Sequence, residues 1–290
     1  MHTLARLPRR GVLRGLAGLG ALAAVPAAAR PLDAVTEAGT MRVAVYADNA
    51  PFSTLKDGKP VGIDVDLAGA VATAMKIGLD LRLVDAGENV DGDFRLNLWR
   101  GDLAGSPLAD LMLHVPNDRM LGLRNEQIFL VRPYFEQHLA FAWRRGALEG
   151  FDSFQDIAGH EVAVEGASAS DMQLLMAEGG RYRTNLKHFR STDEAARAFL
   201  AGETPILAGT RAGIEAAMFG AGVTQETCPI VEIALGGLVK SHWDLGGAVR
   251  SDSRDLGYAV GETLAALVDN GTLGEICRRH GVGYTAPKGF

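Results

Sequence analysis

The chain is poor in the features that announce chemistry. Its 290 residues include only two cysteines, Cys228 and Cys277, and no CxxC pair, which leaves room for one disulfide at most. Gly-x-Ser-x-Gly, His-Glu-x-x-His and P-loop motifs are all absent, so the sequence specifies no hydrolase elbow, zinc-protease helix or phosphate cradle. The histidines at 114, 138, 160, 188, 242 and 280 never fall at a metal-ligand spacing, and neither a metal nor a cofactor is expected. Positive charge is short as well. Lys and Arg total 29 against 35 Asp and Glu, and no basic stripe forms, which argues against a nucleic-acid partner. Beyond the first 29 residues no apolar run approaches spanning length, so no membrane span is expected in the mature chain.

What is present is a globular composition, 47% hydrophobic and 22% charged, at a length that suits one large or two ordinary domains. Residues 1–29 read as a secretory signal: arginines at 6, 9, 10 and 14, no acid, a short apolar Gly15–Val25 run and Ala27-Ala28-Ala29. Arg9-Arg10-Gly11-Val12-Leu13-Arg14 resembles a twin-arginine signal, with an ordinary Sec signal as the alternative. Either way the expected location is periplasmic. Removing the four leader arginines leaves 25 basic against 35 acidic side chains.

The chain is organised around Met41–Met75. Val43-Ala44-Val45 ending at Tyr46 reads as a buried strand, Asp48-Asn49-Ala50-Pro51-Phe52 breaks it, and a turn at Lys56–Pro60 follows. Asp64 is the expected N-cap of a helix that turns Leu67, Ala68, Val71 and Met75 inward. Strands are predicted next at Leu79–Val84 and Ala109–Val115, with a short helix at Phe94–Trp99 burying Leu96 and Trp99. Gln127–Trp143 is a long apolar stretch. Ser168, followed by Asp171, reads as the cap of a helix carrying Met172, Leu175 and Met176, and Ser191 opens another. Pro205–Ala208 is a short strand ending at Gly209-Thr210. Leu256, Val260, Leu264, Leu267 and Val268 line one face of a helix over Asp252–Asn270, and Thr272-x-x-Glu275 reads as the capping box of a last helix.

Several of these segments resemble bacterial extracellular solute-binding protein family 3, which includes receptors of polar amino-acid ABC transporters. The resemblance is carried by Arg42–Val45, Ala50–Ser53, Gly58–Ala68, Arg132-Pro133-Tyr134-Phe135, Gly159–Val164, Trp243–Arg250 and the C-terminal LVDNGTLGEICRRHGV, and it spans roughly residues 40–285. It implies an α/β, two-lobed periplasmic-binding-protein type II fold, each lobe a mixed sheet flanked by helices and joined by two crossing strands. Lobe 1 would comprise 40–138 plus 236–285, and lobe 2 would comprise 139–235. The expected function is capture of a small polar organic ligand between the lobes for an ABC importer, without catalysis. Strand ends facing a cleft are where such ligands sit, which nominates Tyr46, Asp48, Phe52, Asp64, His114, Asn117, Arg119, Glu165, Ser168 and Thr210.

The departures from the family pattern matter as much. Amino-acid receptors of this kind carry hydroxyl residues and a carboxylate-gripping arginine after the strand that here ends in His114, where the hydroxyls are missing and Arg119 or Arg124 fits only with a shortened loop. They also carry an aspartate after the strand that here ends in Gly209-Thr210. An ammonium needs a carboxylate partner, so either another acid serves or the ligand has none; common amino acids are expected to bind weakly or not at all. DLMLHVP is similar to accessory proteins of periplasmic quinoprotein (methanol-type) dehydrogenases, which makes such a dehydrogenase the alternative partner. An exported dehydratase with Glu165 as its cleft carboxylate is the third reading. By likeness to the ligand-binding domains of ionotropic glutamate receptors, Cys228 and Cys277 are read either as a disulfide or as two separate buried thiols.

Overall fold

The computed structural model describes residues 30–233 and 240–288. The leader read at 1–29 lies outside them, and so does the expected boundary between the lobes at 235 and 236. The chain begins with α1 (Leu32–Ala38), β1 (Thr40–Tyr46), a ribbon of β2 (Asp48–Asn49), β3 (Ser53–Lys56) and β4 (Lys59–Val61), α2 (Ile63–Ala74) and β5 (Gly78–Val84). There follow α3 (Val90–Phe94), which runs into a π-turn at Arg95–Trp99, then β6 (Leu111–Pro116), α4 (Arg119–Arg124) and β7 (Ile128–Trp143). The second half holds β8 (Val162–Glu165), α5 (Ala169–Met176), β9 (Leu186–Phe189), α6 (Thr192–Leu200), β10 (Ile206–Thr210), α7 (Arg211–Gly220) and β11 (Ile230–Val231). The chain then returns through β12 (His242–Arg250), α8 (Arg254–Asp269) and α9 (Thr272–Arg279).

The strand order is β5-β1-β6-β12-β7-β10-β8-β9, with β11 also against β7. β7 is the member common to both halves. Residues 128–138 pair antiparallel with β12, and residues 139–143 pair antiparallel with β10. At about 3.4 Å per residue its 16 residues bridge roughly 50 Å. Alternation along each strand then builds a core on each face of each half. Val43 and Val45 face Leu67, Val71, Val260 and Leu264, whereas Ala44 faces Phe94 and Leu98. In the second half Phe141, Val162 and Ile206 share one core, and Ala142, Ala163 and Leu207 share the other. No helix among the described residues is long and apolar enough to cross a membrane.

Several local expectations need correction. Gly62, not Asp64, is the N-cap of α2. Its φ of 135° and the 2.2 Å that a Cβ would leave to Phe52 O require glycine there. Leu98 takes the buried place expected for Leu96, because the π-turn advances the helix face. In α5 the expected apolar face is turned to solvent: Met172 and Met176 are exposed while Asp171 and Gln173 are buried. The reason is distant partners, since Asp171 binds the Ala167 N–H and His188, and Gln173 donates to Ile233 O. Gly271 caps α9, and Glu275 pairs with Arg278 instead of closing a box with Thr272. Cys228 and Cys277 are two free buried thiols in the cores of different halves, the second of the two readings.

Candidate functional site

Ends of strands from both halves meet around a cavity of about 250 Å³. The first half supplies Phe52, His114 and Trp243; β7 supplies Gln137 and Leu139; the second half supplies Glu165, Ser168 to Ser170, Thr192 and Thr210.

His114 owes its position to a register fault. Gly246 pairs with Val115 and the next residue, Gly247, pairs with Leu113, so His114 is an extra residue in β6. It has φ 60°, left-handed for a non-glycine residue, as β-bulges next to binding sites often do when they re-aim a side chain. On the other side of Gly246, three residues of β7 (132 to 134) stand opposite one of β12 and form a second bulge. The two bulges bring His114 and Tyr134 together. Tyr134 OH accepts from the His114 N–H at 3.1 Å and donates to Asp64 Oδ1 at 2.6 Å. His114 Nδ1 lies 3.0 Å from Asp64 Oδ2, and the Phe52 ring meets the imidazole edge-on with centroids 4.5 Å apart. Asp64 is fully buried. Burial first, then the charge of Asp64, pushes the Tyr134 phenol well above its ordinary range, so it remains a donor. The imidazole is thereby fixed by a carboxylate at Nδ1 and by an aromatic wall, while the residue itself lines the cavity.

The second half contributes helix starts. Ser168 caps α5 by accepting from the Asp171 N–H, and Thr210 caps α7 by accepting from the Gly213 N–H. Thr192, the first residue of α6, donates its hydroxyl to Glu165 Oε2 at 2.5 Å. The glutamate therefore sits against the first turn of α6.

Of the residues nominated from sequence, Phe52, His114, Glu165, Ser168 and Thr210 come together around this cavity. Asp64 stands behind His114 and away from the cavity surface. Tyr46 is engaged elsewhere, donating to Asp93 at 2.8 Å, and burial first, then Asp93, pushes its phenol up. Asp48 is exposed on the short ribbon. Asn117 donates to Val131 O and lines an adjoining recess of about 670 Å³ with Glu136, His242, Asp244 and Lys240. That recess shares Ala169 and Trp243 with the cavity. Arg119 is exposed: Asp118 caps α4 and starts a helical turn that carries the arginine outward. The reading missed Asn49, Gln137, Thr192 and Trp243. Thr192 was visible as the partner of a capping Ser191, and Gln137 stood between the family-like Arg132–Phe135 and the crossing expected from residue 139, with no local pattern to mark it.

No family model matches the chain, and no curated protein matches it. Solved structures do. An ancestral cationic amino acid solute-binding protein superposes with a TM-score of 0.66 at 20% identity, covering 86% of this chain and 98% of its own; the same ancestor is described as a precursor of cyclohexadienyl dehydratase. An amino acid ABC transporter substrate-binding protein from Streptococcus pneumoniae, bound to L-arginine, gives 0.57 at 21% identity, covering 86% and 97%. A histidine kinase sensor domain with similarity to periplasmic binding proteins gives 0.57 at 22%, covering 86% and 98%. At these identities what is shared is the fold: the chain has the two-lobed architecture of the periplasmic binding proteins, a mixed sheet flanked by helices in each half.

Proposed function

We propose that this chain is an exported solute-binding protein that closes two lobes on a small polar ligand and delivers it to an ABC importer. The observation that carries the reading is the cavity itself, whose walls come from strand ends of both halves with β7 running between them. Contacts from both halves exist together only when the halves approach, so a ligand shifts the population toward the closed form by its differential affinity for it. Lobe 1 comprises 40–138 plus 236–285 and lobe 2 comprises 139–235, with Leu139 at the first crossing. Residues 1–29 direct export by the twin-arginine route. Binding is favoured over catalysis because Glu165, the cavity's carboxylate, is already held by Thr192.

Native mass spectrometry of the protein purified from the periplasm tests this. The expected result is a complex heavier than the mature chain by one small molecule, which is released on unfolding. An unloaded protein whose small-angle scattering profile no small solute changes would contradict it.

A further inference from the structure

The ligand's charge follows from the side chains around the cavity, an inference that rests on the solute-binding reading above. Among the described residues, no arginine or lysine lines it. Among the described residues its one carboxylate is Glu165. Thr192 serves Oε2, which leaves Oε1 for a ligand. His114 brings its own counter-charge in Asp64 at 3.0 Å, so the group of three is net negative whether or not the imidazole is protonated. Gln137 lines the cavity as a neutral amide, 3% exposed, and adds no positive charge to it.

For a ligand carboxylate the cavity has much less to give. Its donors are hydroxyls, amide and ring N–H groups and the starts of α5 and α7, none of them a full positive charge. A helix N-terminus offers only a partial charge, whereas taking a carboxylate out of water carries a large desolvation penalty. No bidentate guanidinium is there to offset it. Glu165 also repels any second anion in so small a space.

We propose that the cavity takes a small organic cation, an aliphatic amine or guanidine without an α-carboxylate. Its charged head sits on Glu165, and its stem lies between Phe52 and Trp243. The comparison that isolates the claim is agmatine against L-arginine, which differ only in the carboxylate. By isothermal titration calorimetry on the wild-type protein, agmatine is expected to bind at least ten-fold more tightly than L-arginine. Glu165→Gln is expected to weaken agmatine at least ten-fold. Should that variant fail to fold, the wild-type comparison and a parallel titration with putrescine carry the test alone. Equal or tighter binding of L-arginine, or no binding of either amine, overturns the proposal. Compaction in small-angle scattering with a carboxylate-bearing ligand would leave the solute-binding reading intact while this one fails; no compaction with any ligand would remove that reading itself.

Discussion

Asp64 is sealed from solvent, and its hydrogen-bond partners are Tyr134 and His114. Tyr134→Phe would strand both Asp64 Oδ1 and the His114 N–H, at a cost of about 2 kcal/mol. Urea unfolding should show that loss; a change within about 0.5 kcal/mol, as for an ordinary surface substitution, would mean the three residues are not coupled. Cys277 answers to the same carboxylate. Burial first, then the charge of Asp64, pushes its thiol up to about 12 from an ordinary 9.0. Above pH 9 the unfolded chain releases this proton while the folded chain keeps it, so stability is complete below pH 9 and falls as pH rises toward 12. The slope is about 1.4 kcal/mol per pH unit for each such group. Denaturation midpoints measured from pH 8 to 11 should fall less steeply in Cys277→Ala than in the wild type.

Among the elements, the sequence was most legible where a buried face follows a regular period. The continuous apolar run of β1 predicted a buried strand, and the spacing Leu256, Val260, Leu264 in α8 predicted a helix and its inward face; the structure shows both. The bulge at His114 was not legible. Leu111 to Val115 reads as a continuous strand, and only its pairing with β12 reveals the extra residue. The face of α5 was misread for a similar reason, because its buried polar residues answer to His188 and Ile233, far away in the chain. Arg119 failed on direction, since a strand followed by an arginine does not say where a capped helix will turn it. The double bulge rests on Gly246, where a Cβ would sit 2.8 Å from Val131 O and 2.9 Å from Asn117 Nδ2. Gly246→Ala should therefore cost about 3 kcal/mol, as overpacking at a close backbone approach does. The check is chemical denaturation beside Gly274→Ala, where a Cβ meets nothing within 4 Å.

At the scale of the whole molecule, one strand, two pairs of cores and one cavity make up the account. The crossing by β7 was expected only from the family resemblance, because the polar Glu136-Gln137-His138 stretch does not show that one antiparallel partner gives way to the next after residue 138. The cavity was only half foreseeable, since β7 and β12 bring Gln137 and Trp243 to it through pairings that no local pattern encodes. Its central claim is that a ligand is held from both halves at once. The most direct measurement is a crystal structure of the protein with the solute it carries when purified. A small molecule is expected in contact with Phe52 or His114 on one side and with Glu165 or Ser168 on the other. Density for that molecule touching one half alone, or lying outside this cavity, would contradict it.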